Sequence, residues 1–286
     1  MKKDLRNLYA QDRVVVNLKA FKVSGALTLG RVNYRKAQLP LQEHVHAGAM
    51  EICYLERGAQ TYTTREREYR LRSGDVFVSF PDEPHGTGGR PEEKSVLYYL
   101  ILALAPDGCG FLGLPGYEGK RLATALRSLP RRHFTGNTRL KAALDRMILE
   151  LRPDAPFAAL SLRLCLTECL LQLLELAACP QSWEISPAIG RVITRIRESR
   201  GEAPGMSVMA EVAGLSVSHF KARFRKETGL PPREFVLREK IRLAREALGK
   251  GHGTVTDIAF ELGFSSSQYF ATVFKRYTGQ SPRQIR

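Results

Sequence analysis

The sequence predicts an α+β chain of two domains: a small N-terminal β-barrel followed by helices, and an all-helical C-terminal part. Three observations predict it. Short β-prone runs punctuated by Gly and Pro fill the chain up to about residue 105. Helical apolar spacing takes over after Pro106. The last hundred residues contain an internal repeat, with 49 or 50 residues separating equivalent positions.

The β-prone runs come first: residues 14–16, 27–29, 51–55, 75–80 and 96–104, with turns marked by Gly58, Gly74, Pro81 and Pro84. Many short strands with turns between them suggest a barrel or sandwich over residues 1–110. Residues 119–129, 138–152 and 158–178 then have helical spacing. They define a helical region, 111–186, that ends in a Pro-containing linker at 179–187. Everything from Ala188 reads as helix, giving a C-terminal domain of 187–286.

Bulk properties narrow the class. The 286 residues leave room for two cores, and 43% hydrophobic with 26% charged residues excludes a disordered or fibrous chain. Net charge is +15, and residues 187–286 hold 18 Lys and Arg against 9 Asp and Glu. That bias points to a polyanionic partner. Arg163, Glu168 and Glu175 interrupt the most apolar segment, which argues for a packed helix rather than a membrane span. The N-terminus leads into no apolar run, so no signal peptide is expected. Five cysteines without a CxxC pair fit a reducing cytoplasm; Cys165 and Cys169 share one helical face and read as core residues.

The repeat carries the functional signal. Phe224-Arg225-Lys226-Glu227-Thr228-Gly229 returns as Phe274-Lys275-Arg276-Tyr277-Thr278-Gly279, and Phe220 returns as Phe270. Ala210-x-x-x-Gly214 returns as Ala259-x-x-x-Gly263 at an offset of 49, so the second copy has one extra residue in its turn. Each copy has a small residue where two helices cross and a glycine where the chain turns with positive φ. A serine to cap the next helix follows, either Ser216 or Ser218 in the first copy and Ser265 or Ser266 in the second. The phenylalanine pairs, four apart, bury one face of that helix. Its other face carries Ser218, His219, Lys221, Ala222 and Arg225 in the first copy, and Ser266, Ser267, Gln268, Ala271, Thr272 and Lys275 in the second. A Gly turn followed by a short helix with a polar outer face is the recognition element of a helix-turn-helix, and these eleven positions are the candidate DNA-binding residues. Residues 234–248 read as a rigid helix joining the two units.

Residues 189–286 resemble the DNA-binding domain of AraC/XylS-type regulators. The carrying residues are Ala210-x-x-x-Gly214-Leu215-Ser216 and Phe220-x-x-x-Phe224-Arg225-Lys226-Glu227-Thr228-Gly229. Even more specific is Asp257-Ile258-Ala259-x-x-x-Gly263-Phe264-x-x-x-x-Tyr269-Phe270-x-x-x-Phe274-Lys275-x-x-x-Gly279-x-Ser281-Pro282-x-x-x-Arg286. The resemblance implies two recognition helices in successive major grooves of promoter or operator DNA. It also implies a homodimer formed through the middle helical region, a small-molecule effector with sugars as one ligand class, and contact with RNA polymerase where the regulator activates. Many relatives have Arg where this chain has Ala222 and Thr272, so base preference does not transfer. Gln268 is a candidate adenine reader; Arg225 and Lys275 are candidate phosphate contacts.

A second constellation lies in the strand-rich part. His44-x-His46-x4-Glu51-x6-Gly58 resembles the first cupin motif, and Gly74 to His85 a shortened second one. The resemblance implies a cupin-like sensor barrel. Three imidazoles and a carboxylate suit a divalent transition metal at His44, His46, Glu51 and His85. The other reading is a metal-free polar pocket for a small molecule, lined by His44, His46, Glu51, Tyr54 and His85, with Tyr62, Tyr98 and Arg35 as further lining candidates. A regulator needs occupancy rather than turnover, so no enzymatic activity is expected; the alternative is a metal-dependent cupin enzyme with an accessory nucleic-acid domain.

Overall fold

The computed structural model describes residues 12–65, 67–104, 110–179, 185–199 and 203–285. They form two compact units, the first drawn mainly from residues 12–179 and the second mainly from 185–285.

The first unit is built on eight strands: β1 (Arg13–Asn17), β2 (Ala26–Tyr34), β3 (Ala49–Thr64), β4 (Arg67–Arg72), β5 (Asp75–Ser79), β6 (His85–Gly86), β7 (Ser95–Ala103) and β8 (His133–Thr135). The main order is β1-β2-β7-β3-β5-β8, and all pairings are antiparallel. The long β3 organises the unit. Its first half pairs with β7 and β5, and its second half pairs with β4 and β6, so the sheet folds over on itself.

Residues 50–55 of β3 are buried on both faces, which is why Ile52 to Leu55 read as an apolar run rather than an alternation, with Glu51 the one charged side chain among the six. Cys53 and Leu55 point inward, to a cluster with Val32, Tyr62, Leu71, Phe77 and Leu97. Met50, Ile52 and Tyr54 point outward, to the core beneath the helices. Gly30 serves the inner cluster: a Cβ there would lie 2.1 Å from Tyr99 Cζ, so only glycine lets that ring enter.

Three helices cover the outer face: α1 (Gly116–Arg127), α2 (Thr138–Leu149) and α3 (Ala158–Ala178). The helices of residues 111–179 share the sheet's core and form no body of their own. Asn137 caps α2 by accepting from Leu140 N. Leu162, Cys165, Leu166, Cys169, Leu170, Leu173 and Ala177 form the buried stripe of α3. Burial pushes the Cys169 thiol up to about 12. No helix among the described residues is long and apolar enough to cross a membrane.

The second unit contains α4 (Pro187–Glu198), α5 (Met206–Ala213), α6 (Val217–Thr228), α7 (Pro232–Gly249), α8 (Val255–Glu261), α9 (Ser267–Thr278) and α10 (Pro282–Ile285). It has two separate cores. Phe220 and Phe224 pack with α4 and α5, while Phe270 and Phe274 pack with α7 and α8. Helix α7 joins them: Phe235 and Val236 lean on the first core, and Leu237 and Ile241 on the second.

Sequence reading overlooked β4, β6, β8 and the second half of β3. β4 is charged at Arg67, Glu68, Arg70 and Arg72, with Leu71 alone fully buried, and β8 is three residues long. The helix expected at 138–152 stops at Leu149, and the one expected at 119–129 begins three residues earlier. Most of the expected linker, 180–184, lies outside the described residues.

Candidate metal centre and nucleic-acid interface

Four side chains converge at one end of the strand-rich unit. His44 and His46 lie in the extended lead-in to β3, Glu51 sits on the inner side of β3, and His85 opens β6. Backbone hydrogen bonds zip the two imidazole-bearing segments together: His44 N donates to His85 O and His85 N to His44 O, both at 3.0 Å. The chain doubles back so that residues 34 to 41 positions apart meet.

One ligand atom from each of His44, His46, Glu51 and His85 lies within 4.8 Å of the others. His85 Nε2 is 2.9 Å from Glu51 Oε2, and His46 Nε2 is 3.6 Å from the same oxygen. Two of the rings are aimed by the main chain. His85 Nδ1 lies 2.9 Å from Glu83 O, and His44 Nδ1 lies 3.0 Å from Gln42 O. A carbonyl accepts only from N–H, so both Nδ1 atoms carry a proton, which leaves Nε2 as the ligating atom of each ring; without an ion, His85 Nε2 donates its own proton to Glu51, and an ion would displace that proton. His46 Nε2 is a buried atom with no hydrogen-bond partner among the described residues. Burial opposes ionisation of Glu51, but the neighbouring His46 and His85 imidazoles outweigh it and hold the carboxyl at about 2. Burial likewise opposes a charge on His85, whereas its contacts with Glu51 and the Glu83 carbonyl raise its pKa.

An anionic carboxylate, three imidazoles and a buried unsatisfied nitrogen fit a first-row divalent metal. His44 and His46 are half-exposed while Glu51 and His85 are buried, so the site opens to solvent on one side.

Tyr54 does not join this group, which corrects the expectation that it lines the pocket. Strand side chains alternate, and an odd separation of three residues puts Tyr54 on the opposite face of β3 from Glu51. Tyr98, its partner in register, shares that outer face. Tyr62 is inside, stacked on Phe77 at 5.0 Å. Arg35 follows the end of β2 and is exposed.

The outer face holds a polar network that sequence reading missed. Buried Arg31 donates to Tyr98 Oη (3.1 Å) and to Glu56 (3.3 Å). Tyr98 donates to Asp145 of α2 at 2.5 Å, and Lys141 pairs with Asp145 at 2.6 Å. Burial, Asp145 and Glu56 push the Tyr98 hydroxyl far above its ordinary range, keeping it a donor. Arg31 falls in an apolar stretch of β2, and its partners lie 25 or more residues away, so no local pattern marks it.

The second unit places the repeat as two helix-turn-helix units. Gly214 takes φ +67° and Gly263 φ +66° at the turns. Ser216 caps α6 by accepting from His219 N, and Ser266 caps α9 by accepting from Tyr269 N. Ala210 and Ala259 are buried at the crossings. Ser218, His219, Lys221, Ala222 and Arg225 are exposed on α6; Gln268, Thr272 and Lys275 are exposed on α9, with Ser267 and Ala271 half-buried beside them. Ser266 is half-buried and engaged as the cap. Tyr269, 52% exposed and edging Phe264, stands next to Gln268 and was overlooked because its ring reads as core. Glu227 braces the first helix-turn-helix: it accepts from Ser186 N (2.8 Å) and from Arg223 Nε (2.7 Å).

Comparison with known proteins matches both parts. Residues 31–170 match the AraC-like ligand binding domain family, and residues 209–286 match a helix-turn-helix domain family. The chain is 24% identical over 275 residues to the HTH-type transcriptional activator RhaS of Pectobacterium carotovorum, covering 93% of this chain and 94% of that one. It is 25% identical over 252 residues to the HTH-type transcriptional activator RhaR of Escherichia coli K12, covering 85% and 86%. Among solved structures it aligns with ToxT of Vibrio cholerae at 12% identity and a TM-score of 0.35, over 96% of this chain and 97% of that one.

Proposed function

We propose that this chain, which belongs to the AraC family of DNA-binding transcription regulators, senses a divalent transition metal, alone or with a small molecule bound to it, at His44, His46, Glu51 and His85. The observation that carries the metal reading is the convergence of the four ligand atoms with two Nδ1 atoms already tied to carbonyls. A bound ion would supply a Lewis-acidic centre able to take oxygen ligands from an effector such as a sugar or hydroxy acid. This chain's residues hold the ion and leave the open side for the effector; occupancy, not turnover, is the output, so no enzymatic role is assigned.

Regulation then follows from linkage. An occupant that binds one state of the first unit more tightly shifts the population of DNA-competent chains. The chain reads DNA with the outer faces of α6 and α9. Ser218, His219, Lys221, Ser267 and Gln268 face bases, and Arg225 and Lys275 hold phosphates. Ala222, Ala271 and Thr272 are small enough to allow close approach and to meet a thymine methyl group.

Two finer points are part of the same proposal. The chain acts as a homodimer through α3, whose outer side exposes Leu160, Leu164 and Leu171 at 49–62%, with Phe157 exposed just before the helix begins. Leu160 and Leu164 are four apart and Leu164 and Leu171 seven apart on the helix, a spacing that suits a coiled-coil seam. The chain also activates transcription in the cytoplasm through contact with RNA polymerase, in line with the activators it resembles.

Metal content of the purified full chain tests the sensing claim, with His85→Ala as control. The expected result is about one first-row metal per chain in the wild type, loss of it in the variant, and a change in duplex-DNA affinity when the metal is removed. A wild-type chain that holds no metal after loading and dialysis overturns the metal reading.

A further inference from the structure

The carbonyl that aims His85 belongs to Glu83, and the side chain of Glu83 is itself clamped. Its Oε2 accepts from Phe80 N at 3.1 Å, and both carboxylate oxygens lie 2.7 Å from Arg132 Nη1. Arg132 is held on several sides. Its guanidinium lies 4.8 Å from the centre of the Phe80 ring and 5.7 Å from that of Tyr69, and donates to Thr64 Oγ1 at 3.3 Å. Thr64 is the register partner of His85 across the β3–β6 pair. The Arg132 carbonyl accepts from Val78 N at 2.8 Å, tying it to β5.

The two residues after Arg132 lead away from the site. His133 Nε2 meets the buried carboxylate of Asp75 at 2.9 Å. Phe134 is fully buried in the core that the sheet shares with α1, α2 and α3. A three-residue segment thus runs from the loop behind a metal ligand into the helical layer.

We propose that Arg132 is a positioning residue for the histidine–glutamate site. Acting through Glu83, it fixes the His85 ring with Nε2 toward the other ligand atoms, and it makes ion affinity depend on how the helical layer holds residues 132–134. The inference rests on the metal reading above. Outer partners that orient a metal-binding histidine contribute substantially to affinity without touching the ion. Affinity and the state of the helical layer are then reciprocally linked.

Titration of the full chain with Co2+ alone tests this, reading affinity and the visible ligand-field absorption. The wild type is expected to bind one Co2+. Arg132→Met should weaken binding by about 10–100-fold and alter the absorption, and Arg132→Lys should restore part of both. Glu83→Gln removes the charge but keeps an acceptor for Phe80 N; it should weaken binding in the same direction, and it decides the matter if Arg132→Met fails to fold. Arg90→Ala breaks the exposed Arg90–Glu68 pair in the same unit and should behave as wild type. Wild-type affinity and absorption in both Arg132→Met and Glu83→Gln overturn the inference alone. Equal weakening in Arg90→Ala overturns it as well, by showing general destabilisation. A wild-type chain that binds no Co2+ overturns the metal reading and this inference together.

Discussion

At the scale of single residues, geometry separates roles that residue type leaves open. Tyr98 and Tyr62 look alike in sequence, yet one ties the sheet to α2 and the other stacks in the inner cluster. Tyr98→Phe keeps the ring but leaves Arg31 and Asp145 each short of a hydrogen bond in a buried setting. It should cost the first unit about 1–3 kcal/mol, seen as a lower thermal midpoint for that unit. Lys275, exposed on the last turn of α9, should act on DNA of any sequence. Lys275→Ala is expected to weaken binding to operator and random duplex alike and to reduce the slope of log affinity against log salt by about one; an unchanged slope would remove it from the phosphate contacts. The convergence of His44, His46, Glu51 and His85 was legible because the cupin-like spacing names them. Tyr54 is near the ligands in sequence, but the two-residue period of β3 turns it to the opposite face from Glu51.

At the scale of elements, the helix-turn-helix units were legible almost entirely. Their signals are local: a small residue, a glycine, a capping serine and a phenylalanine pair within about one and a half helices. Gly214 illustrates how tight the requirement is. Its φ of +67° strains any other residue, although a Cβ there would meet nothing within 4 Å. Gly214→Ala should therefore cost about 1–2 kcal/mol through backbone conformation alone and weaken DNA binding only as far as the first unit of the repeat unfolds. A neutral effect on the thermal midpoint would mean that the turn tolerates another geometry. Strands were less legible. β4 carries mostly charged residues because it pairs only at the margin of the sheet, and β8 is held by β5, more than fifty residues earlier in the chain. Such elements are fixed by partners distant in sequence, not by their own pattern.

At the scale of the whole molecule, the sequence could indicate a sensor and a reader on one chain, because each is marked by its own motif. It could not indicate that α1, α2 and α3 share the core of the sheet, since that depends on the outer face of β3 being apolar as well as the inner one. This arrangement leaves α3 with a buried stripe and an exposed one. Leu164→Glu puts a charge in the exposed seam while sparing the core, so it should convert dimer to monomer in sedimentation at unchanged thermal stability. A monomeric wild type at micromolar concentration would contradict the dimer.

The central claim is that two unlike recognition helices on one chain read one duplex, and selection of bound duplexes from a random pool by the full chain tests it most directly. The expected outcome is an enriched site with two short blocks about one helical turn apart, in which Gln268→Ala relaxes one block and leaves the other intact. Enrichment of a single block, or of none, would contradict it.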